Sequence, residues 1–519
     1  MTEVVYPYNP AMWSGDVGRH YGESSTGAGS EDPFRQDIQV IGMHPYWGRM
    51  QAVTNGTDFL RYYAPTYLPQ EPREPEDAYA TRVQRSVLSP YTVRLIDNAA
   101  GLILRRPIEI DGDDFWTSWS ENVDGLGSSL NEYARRALVS SLTYGHSGIL
   151  VDFPPDPGVT TLYQERQLGR RPYFNHIEPY DIWGWRQESP IPNSPLTQIR
   201  LHEWATIPEG TYGQTRVERI RVITPTNYQV FQRHSEPSGI DPGTPQPNGN
   251  IEIGLADSGD LPFNQIPFVP IYSNRTGMLT SSPPLIDIAN LNLTHYQRQA
   301  DLIHALHIAA MPLLVLEGWD DAEDATSVGV NYGMVTTPGN KVYYVASDSG
   351  SFTAQHEELK ELEMQMSTLG ISKLLGQKYV AESADAKRID QMQANSVLAI
   401  ISMELESSLQ QAFYFAARYL NIEPPKINIS RDFDFYRMLG QDISVVGQLR
   451  NEGALSDKTY LEILRSGEII PESVDMNEEL AEIKRLTEEK KAAAEQQLRM
   501  QQETAQNRQP GTSDAAKTK

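Results

Sequence analysis

The sequence of 519 residues predicts an α+β fold in which a strand-rich part is followed by long helices. Three observations predict it. Residues 173–272 carry short apolar runs separated by Pro, Gly and Asn turns, which is typical of strands. Residues 285–310 and 387–420 carry apolar residues at helical spacing. Hydrophobic residues are 39% and charged residues 22%, so the length allows two or more domains with real cores.

An N-terminal arm is predicted at residues 1–35, which are rich in Gly, Ser, Tyr and Pro. The first predicted helices are 76–88 and 91–104, separated by Pro90. The second of them is supported by apolar residues at helical spacing: Val93, Ile96, Ala100 and Ile103.

The next helix is predicted at residues 130–142, with Ser128 or Ser129 as its N-cap. Gly145 is expected to end it, because glycine adopts the left-handed conformation common after helices. A strand follows at 149–153. The strands predicted within 173–272 are 197–206, 217–223 and 228–232.

The start of the first long helix is predicted by two serines and two prolines that precede it, Ser281, Ser282, Pro283 and Pro284. After it the chain is predicted to form strands, a helix broken by Gly376, a polar segment and the second long helix. Their ranges are 313–316, 332–335 and 341–345 for the strands, 354–375 for the helix, and 377–386 for the polar segment. The helix at 387–420 is expected to exceed roughly 45 Å at about 1.5 Å per residue.

The C-terminal part is predicted to hold helical segments at 443–452, 458–465 and 478–499. The last is highly charged, and pairs such as Glu482 with Arg485 suit a solvated surface. Residues 501–519 are expected to be a disordered low-complexity tail.

Composition excludes several classes of function. The net charge of -24 argues against a protein that coats nucleic acid through basic stripes. The sequence has no cysteine, which excludes thiol catalysis and thiolate metal sites. The N-terminus does not resemble a signal peptide, and no apolar window reaches the length of a membrane span, so no membrane partner is expected.

No motif predicts a catalytic, metal or cofactor site. The run GHSG at residues 145–148 lacks the G-x-S-x-G spacing of a nucleophile elbow and favours a helix-to-strand turn. His304 and His307 share a helix face that excludes His295, and no HExxH pattern is present. Walker A and GxGxxG patterns are absent, so ATP hydrolysis is not expected.

Acidic clusters favour solvated surfaces over ion sites. The cluster Asp320, Asp321, Glu323 and Asp324 lacks the spacing of a calcium loop, although a divalent ion bridging subunits stays an alternative. Asp111, Asp113 and Asp114 favour a turn. The N-terminal aromatics favour contacts with other proteins over base stacking; they are Tyr6, Tyr8, Trp13, Tyr46 and Trp47.

The order of elements over residues 75–490 resembles the portal proteins, or head-to-tail connectors, of tailed bacteriophages. The resemblance is carried by SLTYGHSGILVDFP at 141–154, the stem-like run at 282–312, GISKLLG at 370–376, the helix at 382–420 and the run ISVVGQLRNEGALSDKTYLEILRSGEI. Each motif is weak alone, and their order is what makes the resemblance specific.

The resemblance implies a portal-like protomer that assembles into a ring, most simply of twelve subunits. Its parts would be a mixed α/β wing, a helical stem, a small β-rich clip and a helical crown. Their ranges would be the wing at 36–280, stem helices at 281–310 and 354–376, the clip at 311–353, a tunnel loop at 377–386, a long wing helix at 387–431 and the crown at 432–500.

The resemblance also implies a channel at one capsid vertex of the virion, after assembly in the host cytoplasm. Double-stranded DNA would pass through it without sequence specificity during packaging and ejection. The implied partners are the large terminase, a head-tail adaptor or tail proteins, the major capsid protein and a scaffolding protein. A ring of twelve chains would carry 12 × 24 = 288 net negative charges, which disfavours adhesion of DNA.

The resemblance places DNA-proximal residues around the tunnel loop and partner-docking residues in the clip. The tunnel set is Lys373, Gln377, Lys378, Tyr379, Glu382, Ser383, Lys387 and Arg388. The clip set is Trp319, Asp320, Asp321, Glu323 and Asp324. The basic members would guide phosphates, or alternatively pair with Glu382, Asp385 or Asp390 of a neighbouring subunit.

Two other functions remain open at this point. One is a different structural or adaptor protein of a virion. The other is a hydrolase or nuclease with a helical appendage, which would require converging carboxylates or histidines that the sequence does not make evident.

Overall fold

The computed structural model divides the chain into two compact units, Met1–Arg431 and Asp432–Lys519. It describes residues 32–154, 170–189, 194–234, 252–310, 313–317, 341–345, 349–374, 384–431, 440–466, 469–470 and 474–506. Helices and antiparallel sheets both occur, so the predicted α+β class is confirmed. None of the helices within these ranges is long and apolar enough to cross a membrane.

The helices of the first unit are, in chain order, α1 (Ile38–Thr54), α2 (Gly56–Tyr62), α3 (Ala64–Tyr67), α4 (Glu76–Arg85), α5 (Tyr91–Ile103), α6 (Asp114–Trp119), α7 (Leu130–Tyr144), α8 (Ile286–Ala309), α9 (Ser349–Leu374) and α10 (Ala384–Leu420). The second unit contains α11 (Gly440–Asn451), α12 (Asp457–Ser466) and α13 (Met476–Gln506). In that unit Arg450 Nε donates to Asp457 Oδ1 at 2.9 Å, which ties the start of α12 to the end of α11.

The strands are, in chain order, β1 (Glu109–Asp111), β2 (His146–Asp152), β3 (Tyr173–Ile177), β4 (Ile182–Gln187), β5 (Leu196–Glu209), β6 (Gly213–Ile223), β7 (Asn227–His234), β8 (Glu252–Asp260), β9 (Phe268–Tyr272), β10 (Arg275–Gly277), β11 (Thr280–Ser281), β12 (Leu313–Glu317), β13 (Lys341–Val345) and β14 (Lys426–Asn428). One sheet has the order β3-β2-β9 and another the order β4-β5-β6-β7-β8. β1 pairs with β14, β10 with β11 and β12 with β13.

Helix α7 follows its local sequence signals. Ser129 and Glu132 form a capping box, in which each side chain accepts from the other's backbone N–H. Gly145 ends the helix with φ at 97°, in the left-handed region. The predicted N-cap and the predicted glycine stop are therefore both confirmed.

Helices α1 to α3 were not predicted from the sequence. α1 contains Pro45 and is buried on most of its circumference, so no single apolar stripe marks it. Trp47 anchors it, because the indole Nε1 donates to the Tyr144 carbonyl at 3.0 Å and the side chain is 2% exposed. Tertiary burial, rather than local propensity, holds this segment helical.

Two clusters among the described residues contribute to the core of the first unit. The first joins the two larger sheets and contains Leu150, Ile177, Ile182, Ile199, Leu201, Ile223, Ile266, Phe268 and Leu279. The second is aromatic: the Phe413 ring of α10 lies 5.2 Å from Trp119, 5.3 Å from Phe174 and 5.5 Å from Trp116, all edge-to-face. Such edge-to-face contacts add stability beyond that from the area which each ring buries, so they help to hold α10 against these rings.

The β5–β6 hairpin extends beyond its sheet. β4 pairs with β5 only up to Leu201, and β7 pairs with β6 only from Arg219, whereas β5 and β6 pair with each other from Ile199 to Glu209. The outer part is therefore a two-stranded ribbon, with Tyr212 at its tip 98% exposed.

Several element boundaries differ from the sequence predictions, and three of the differences change the predicted organisation. Phe34 is 4% exposed and packs against Ile220 and Val222, so the last residues of the predicted arm belong to the fold. α10 begins at Ala384, so it includes the last three residues of the predicted tunnel loop. α13 continues to Gln506, into the predicted tail, because residues 501–506 contain neither Gly nor Pro to stop a helix.

Candidate functional region

The candidate functional region comprises α8, the β12–β13 pair, α9 and α10. β12 and β13 pair antiparallel, with Leu313 opposite Val345 and Glu317 opposite Lys341. In chain order β12 follows α8 and β13 precedes α9, so two strands that run in opposite directions lie between the two helices. The predicted strands at 313–316 and 341–345 are confirmed, whereas the predicted strand at 332–335 lies outside the described residues.

α8 is attached to the helices before it by buried hydrogen bonds. Asn292 is 0% exposed; its Oδ1 accepts from Thr92 Oγ1 at 3.1 Å, and its Nδ2 donates to the Ser89 carbonyl at 2.9 Å. The Tyr296 hydroxyl and Ser86 Oγ share a hydrogen bond of 2.8 Å. Because an unpaired buried polar group is costly, these pairs fix the register of α8 on α5.

Arg82 of α4 joins α8 to the segment before α4. Its guanidinium lies 2.7 Å from Glu74 Oε2 and 3.0 Å from Asp301 Oδ1, and Arg82 itself is 4% exposed. The hydrogen bond to Arg82 lowers the pKa of Glu74. Burial raises the pKa of Asp301, and Arg82 acts against that shift. Both carboxylates therefore pair with the same guanidinium, and the cluster has a structural role.

α8 and α9 run antiparallel. His295 Nε2 lies 3.3 Å from Glu363 Oε1, and Arg298 Nε lies 3.3 Å from Glu358 Oε1. Moving forward along α8 therefore means moving backward along α9. The Tyr91 ring packs edge-to-face on His295 at 5.7 Å, which closes the contact from the side of α5.

Two of the histidines of α8, His295 and His307, lie in separate surroundings. His295 is 1% exposed and faces Glu363, whereas His307 Nε2 lies 2.9 Å from an Arg85 guanidinium nitrogen. In the described ranges, no three His, Asp or Glu side chains converge on a point where they could hold a metal ion.

α9 is held through a narrow stripe. Among residues 352–370, those that are buried are Leu359, Met366 and Gly370, spaced seven and four apart on one face. Gly370 lies so close to Leu95 that an added Cβ would sit 2.2 Å from Leu95 Cδ1. The exposed surface of the helix carries Glu357, Glu358, Glu361 and Met364.

α10 buries the residues that the sequence spacing predicted: Leu398, Ile401, Leu405, Leu409, Ala412 and Ala416. Ser408 Oγ donates to the Pro270 carbonyl of β9 at 3.0 Å. On the opposite side, Val397, Ile400 and Met403 are 38%, 65% and 52% exposed. This helix therefore combines a buried face with an apolar surface stripe.

The structure positions the backbone of three of the predicted tunnel residues. Lys373 lies in the last turn of α9, and Lys387 and Arg388 lie in the first turns of α10, so they bracket residues 375–383. The others lie outside the described residues: Gln377, Lys378, Tyr379, Glu382 and Ser383. The predicted clip residues also lie outside the described residues: Trp319, Asp320, Asp321, Glu323 and Asp324.

The GHSG run is a buried helix-to-strand junction. Ser147 Oγ donates to the Ala137 carbonyl at 2.9 Å, and His146 Nδ1 lies 2.6 Å from Ser281 Oγ. Both His146 and Ser147 are 0% exposed, and burial lowers the pKa of His146 to about 3. A neutral, enclosed imidazole has no route to a substrate, which favours a structural role for this pair.

A charged cleft of about 480 Å³, not predicted from the sequence, lies along α7. Its cations are already paired: Arg135 lies 3.0 Å from Asp97 and Arg136 lies 3.1 Å from Asp124. Burial raises the pKa of Glu178, which accepts a hydrogen bond from Ser140, to about 7. The cleft is formed by residues from distant parts of the chain, so no local motif marks it.

Comparisons with known proteins find one family model that matches part of this chain and several solved structures that are similar to it. A family model described as a domain of unknown function, DUF4055, matches residues 284–420, from just before α8 to the end of α10. The curated proteins contain no match to this chain.

Three of the similar solved structures come from gene transfer agent (GTA) particles. One is the virion of the native particle, at 12% identity and a TM-score of 0.37, covering 75% of this chain and 93% of that chain. The neck of the empty particle computed with C6 symmetry has 13% identity, a TM-score of 0.39 and coverages of 76% and 95%. The neck of the native particle computed with C12 symmetry has 13% identity and a TM-score of 0.36, and the match covers 76% of this chain and 93% of that chain. Such identities and TM-scores are too low to assign a function to this chain.

Proposed function

We propose that this chain is a phage portal protein. It forms a ring, most simply of twelve copies, at one vertex of the capsid. Double-stranded DNA passes through the ring during packaging and ejection. The ring first docks the large terminase and then the adaptor or tail proteins, and the chain itself is not an enzyme. Its place is the virion, after assembly in the host cytoplasm beside capsid and scaffolding proteins.

The observation that carries the proposal is the antiparallel pair α8–α9, which is joined at one end by the β12–β13 strands. His295 with Glu363 and Arg298 with Glu358 fix this pairing. The order of a helix, a strand pair, a returning helix and a long supporting helix is the order that the portal resemblance implies for stem, clip, stem and wing. In this proposal α8 and α9 are the stem, and β12 and β13 belong to the clip.

The acidic residues exposed on α9 support the proposal that the ring conducts DNA. The exposed surface of α9 carries Glu357, Glu358 and Glu361 next to Lys360, and Arg298 of α8 pairs with Glu358. Contacts that neutralise phosphates would bind DNA tightly through counterion release, whereas an acidic wall lets it slide. The tunnel residues Lys373, Lys387 and Arg388, at the two helix ends, would be the sites of brief phosphate contact.

The test is the assembly state of the purified chain. Negative-stain images and mass measurements are expected to show closed rings with a central channel. Closed rings with a subunit number other than twelve would also agree with the proposal, because isolated portals often form rings of other sizes than the one in the virion. Monomers under all salt and protein concentrations would sink it.

The same images separate the second candidate, a different virion structural or adaptor protein. An adaptor would form a ring without the elongated stem that α8 and α9 predict. The hydrolase or nuclease alternative is tested by incubating the chain with DNA and Mg²⁺. Cleavage that disappears in the Asp320→Asn/Asp321→Asn variant would favour it over the portal.

A further inference from the structure

One face of the five-stranded sheet carries large apolar side chains that the described residues leave uncovered. Residues directly opposite each other on paired strands lie on the same face, and residues two apart on one strand do so too. Ile220 lies opposite Phe231, and Phe231 lies opposite Leu255. Ile253 is two residues from Leu255. We call this side of the sheet the Phe34 face, because Phe34 packs on Ile220.

Trp204 lies on the Phe34 face as well, because His202, two residues before it, is opposite Ile220. The Arg216 guanidinium lies 4.3 Å from the centre of its ring. The face therefore continues from the sheet onto the base of the β5–β6 ribbon. It is mixed in chemistry, with aromatic and aliphatic groups next to arginines.

Phe34 covers only the centre of this face. It is 4% exposed, contacts Trp183 edge-to-face at 6.4 Å and has the Arg233 guanidinium 4.2 Å from its ring centre. Around it, Leu255 is 56% exposed, Trp204 is 48% exposed and Ile253 is 41% exposed. Large apolar groups gathered on one face in this way indicate a covering partner.

The position where the chain enters the described part indicates the partner. The Phe34 N–H donates to Asp32 Oδ1 at 2.9 Å, and Asp32 Oδ2 lies 3.6 Å from Arg233. Asp32 is therefore fixed on the Phe34 face, and the preceding 31 residues begin there. Neighbouring strands are about 4.8 Å apart and an extended chain advances about 3.3 Å per residue, so a few residues reach either β5 or β8.

The segment before Asp32 has the side chains that such a face requires. Residues 4–13 read VVYPYNPAMW and contain three aromatic residues, Tyr6, Tyr8 and Trp13. Aromatic side chains bury much area and also accept arginine over their rings, as Phe34 and Trp204 already do.

We propose that residues 1–31 pack against the Phe34 face of their own chain, with Tyr6, Tyr8 and Trp13 covering Trp204, Ile253 and Leu255. This goes beyond the portal role and does not depend on it, since the contact lies within one chain. It makes the N-terminal segment the cover of an otherwise open sheet face.

Labelling of an introduced cysteine tests the proposal, because the chain has no cysteine of its own. Leu255→Cys in the full chain is expected to react with a maleimide about 10-fold more slowly than the same substitution in a chain lacking residues 2–31, since covering one large apolar group is worth roughly a factor of ten or more. Tyr212→Cys, at the 98% exposed tip, is the control whose rate stays equal in both chains.

A second variant guards against an effect of deletion on folding. The full chain with Tyr6→Ser, Tyr8→Ser and Trp13→Ser is expected to give the same acceleration at Leu255→Cys. Equal rates in all three chains would overturn the proposal. So would acceleration that appears only when residues 235–251, between β7 and β8, are shortened, because that loop would then be the cover.

A crosslink distinguishes the chain's own segment from that of a neighbour. Trp13→Cys combined with Leu255→Cys is expected to form a disulfide within one chain, visible as a faster-migrating monomer. Two singly substituted chains that form a disulfide only after mixing would show that a second copy supplies the segment, which contradicts the proposal.

Discussion

The imidazole Nε2 of His295 lies 3.3 Å from Glu363 Oε1, and this pair joins two helices whose contacting residues are 68 positions apart. His295 is almost fully buried, whereas the Glu363 side chain is 45% exposed. The contact therefore lies at the edge of the helix interface. A pair with one solvent-exposed partner contributes little free energy, so the buried apolar stripe of α9 supplies most of the stability and the pair sets the alignment of the two helices.

The apolar stripe of α9 predicts a large effect from one methionine. Met366→Ala is expected to lower the free energy of unfolding by about 2–5 kcal/mol, because Met366 is 0% exposed and its removal leaves a cavity. Urea denaturation measures it. Met364→Ala, on the same helix but 64% exposed, is the matched control and should stay within about 0.5 kcal/mol. Equal losses in the two variants would show that α9 is not held by this stripe.

Removal of the buried Arg82 cation is expected to destabilise the fold strongly. Arg82→Ala leaves Glu74 and Asp301 without their shared partner and should cost about 3–5 kcal/mol in urea denaturation. The comparison is Arg135→Ala, whose pair with Asp97 has the same 3.0 Å length but is about half exposed, and which should cost about 0–1 kcal/mol. If the free energy of unfolding falls by the same amount in both variants, burial does not explain the contribution of the Arg82 cluster to stability.

Gly145 is expected to tolerate no side chain. Its φ is 97°, and an added Cβ would lie 2.5 Å from Ser281 Oγ and 2.9 Å from the carbonyl carbon of Ser282. Gly145→Ala should therefore cost about 2–5 kcal/mol from backbone strain and overlap together.

Gly125 gives the control for that substitution. Its φ is 74° and its surroundings are open, so Gly125→Ala isolates the backbone strain and should cost about 1–2 kcal/mol. Thermal or urea unfolding of both variants decides the matter. A Gly145→Ala loss no larger than that of Gly125→Ala would mean that the junction relaxes around the methyl group.

Buried histidines predict a loss of stability in acid. Burial lowers the pKa of His146 from 6.5 to about 3, so the unfolded chain takes up a proton at higher pH than the folded one. The stabilisation is present above about pH 6.5 and is lost as the pH falls towards 3.

The His146→Gln variant measures that contribution. Between pH 7.5 and 5.0, the decrease in the free energy of unfolding should be about 2 kcal/mol smaller in the variant than in the parent chain. His44 and His176, whose pKa values burial lowers to about 4, contribute to the slope in both chains. An unchanged pH dependence would contradict the burial of a neutral His146.

Local signals explain which elements the sequence could predict. Ser129 and Gly145 mark α7 because a cap and a left-handed stop act within one turn of the helix. The strands predicted at 197–206, 217–223 and 228–232 follow from short apolar runs between turns, and each overlaps an observed strand. α1 escaped prediction because it contains Pro45 and is buried nearly all round, which leaves no period to detect.

The packing of the candidate region depends on partners that are distant in sequence. Thr92 and Asn292 are 200 residues apart, and Arg82 and Asp301 are 219 apart. No motif or spacing records such pairs. The order of the helices and strands of the region was therefore predictable, whereas the polar contacts that fix α8 were not.

The β5–β6 ribbon offers a position for an experimental marker. Its turn at Gly210 to Gly213 lies beyond the sheet and is exposed throughout, and such loop tips accept inserted residues with little loss of folding. A short epitope placed after Thr211 would leave both strands in register. Antibody fragments bound to it would then count the copies of this chain in any particle directly under the microscope.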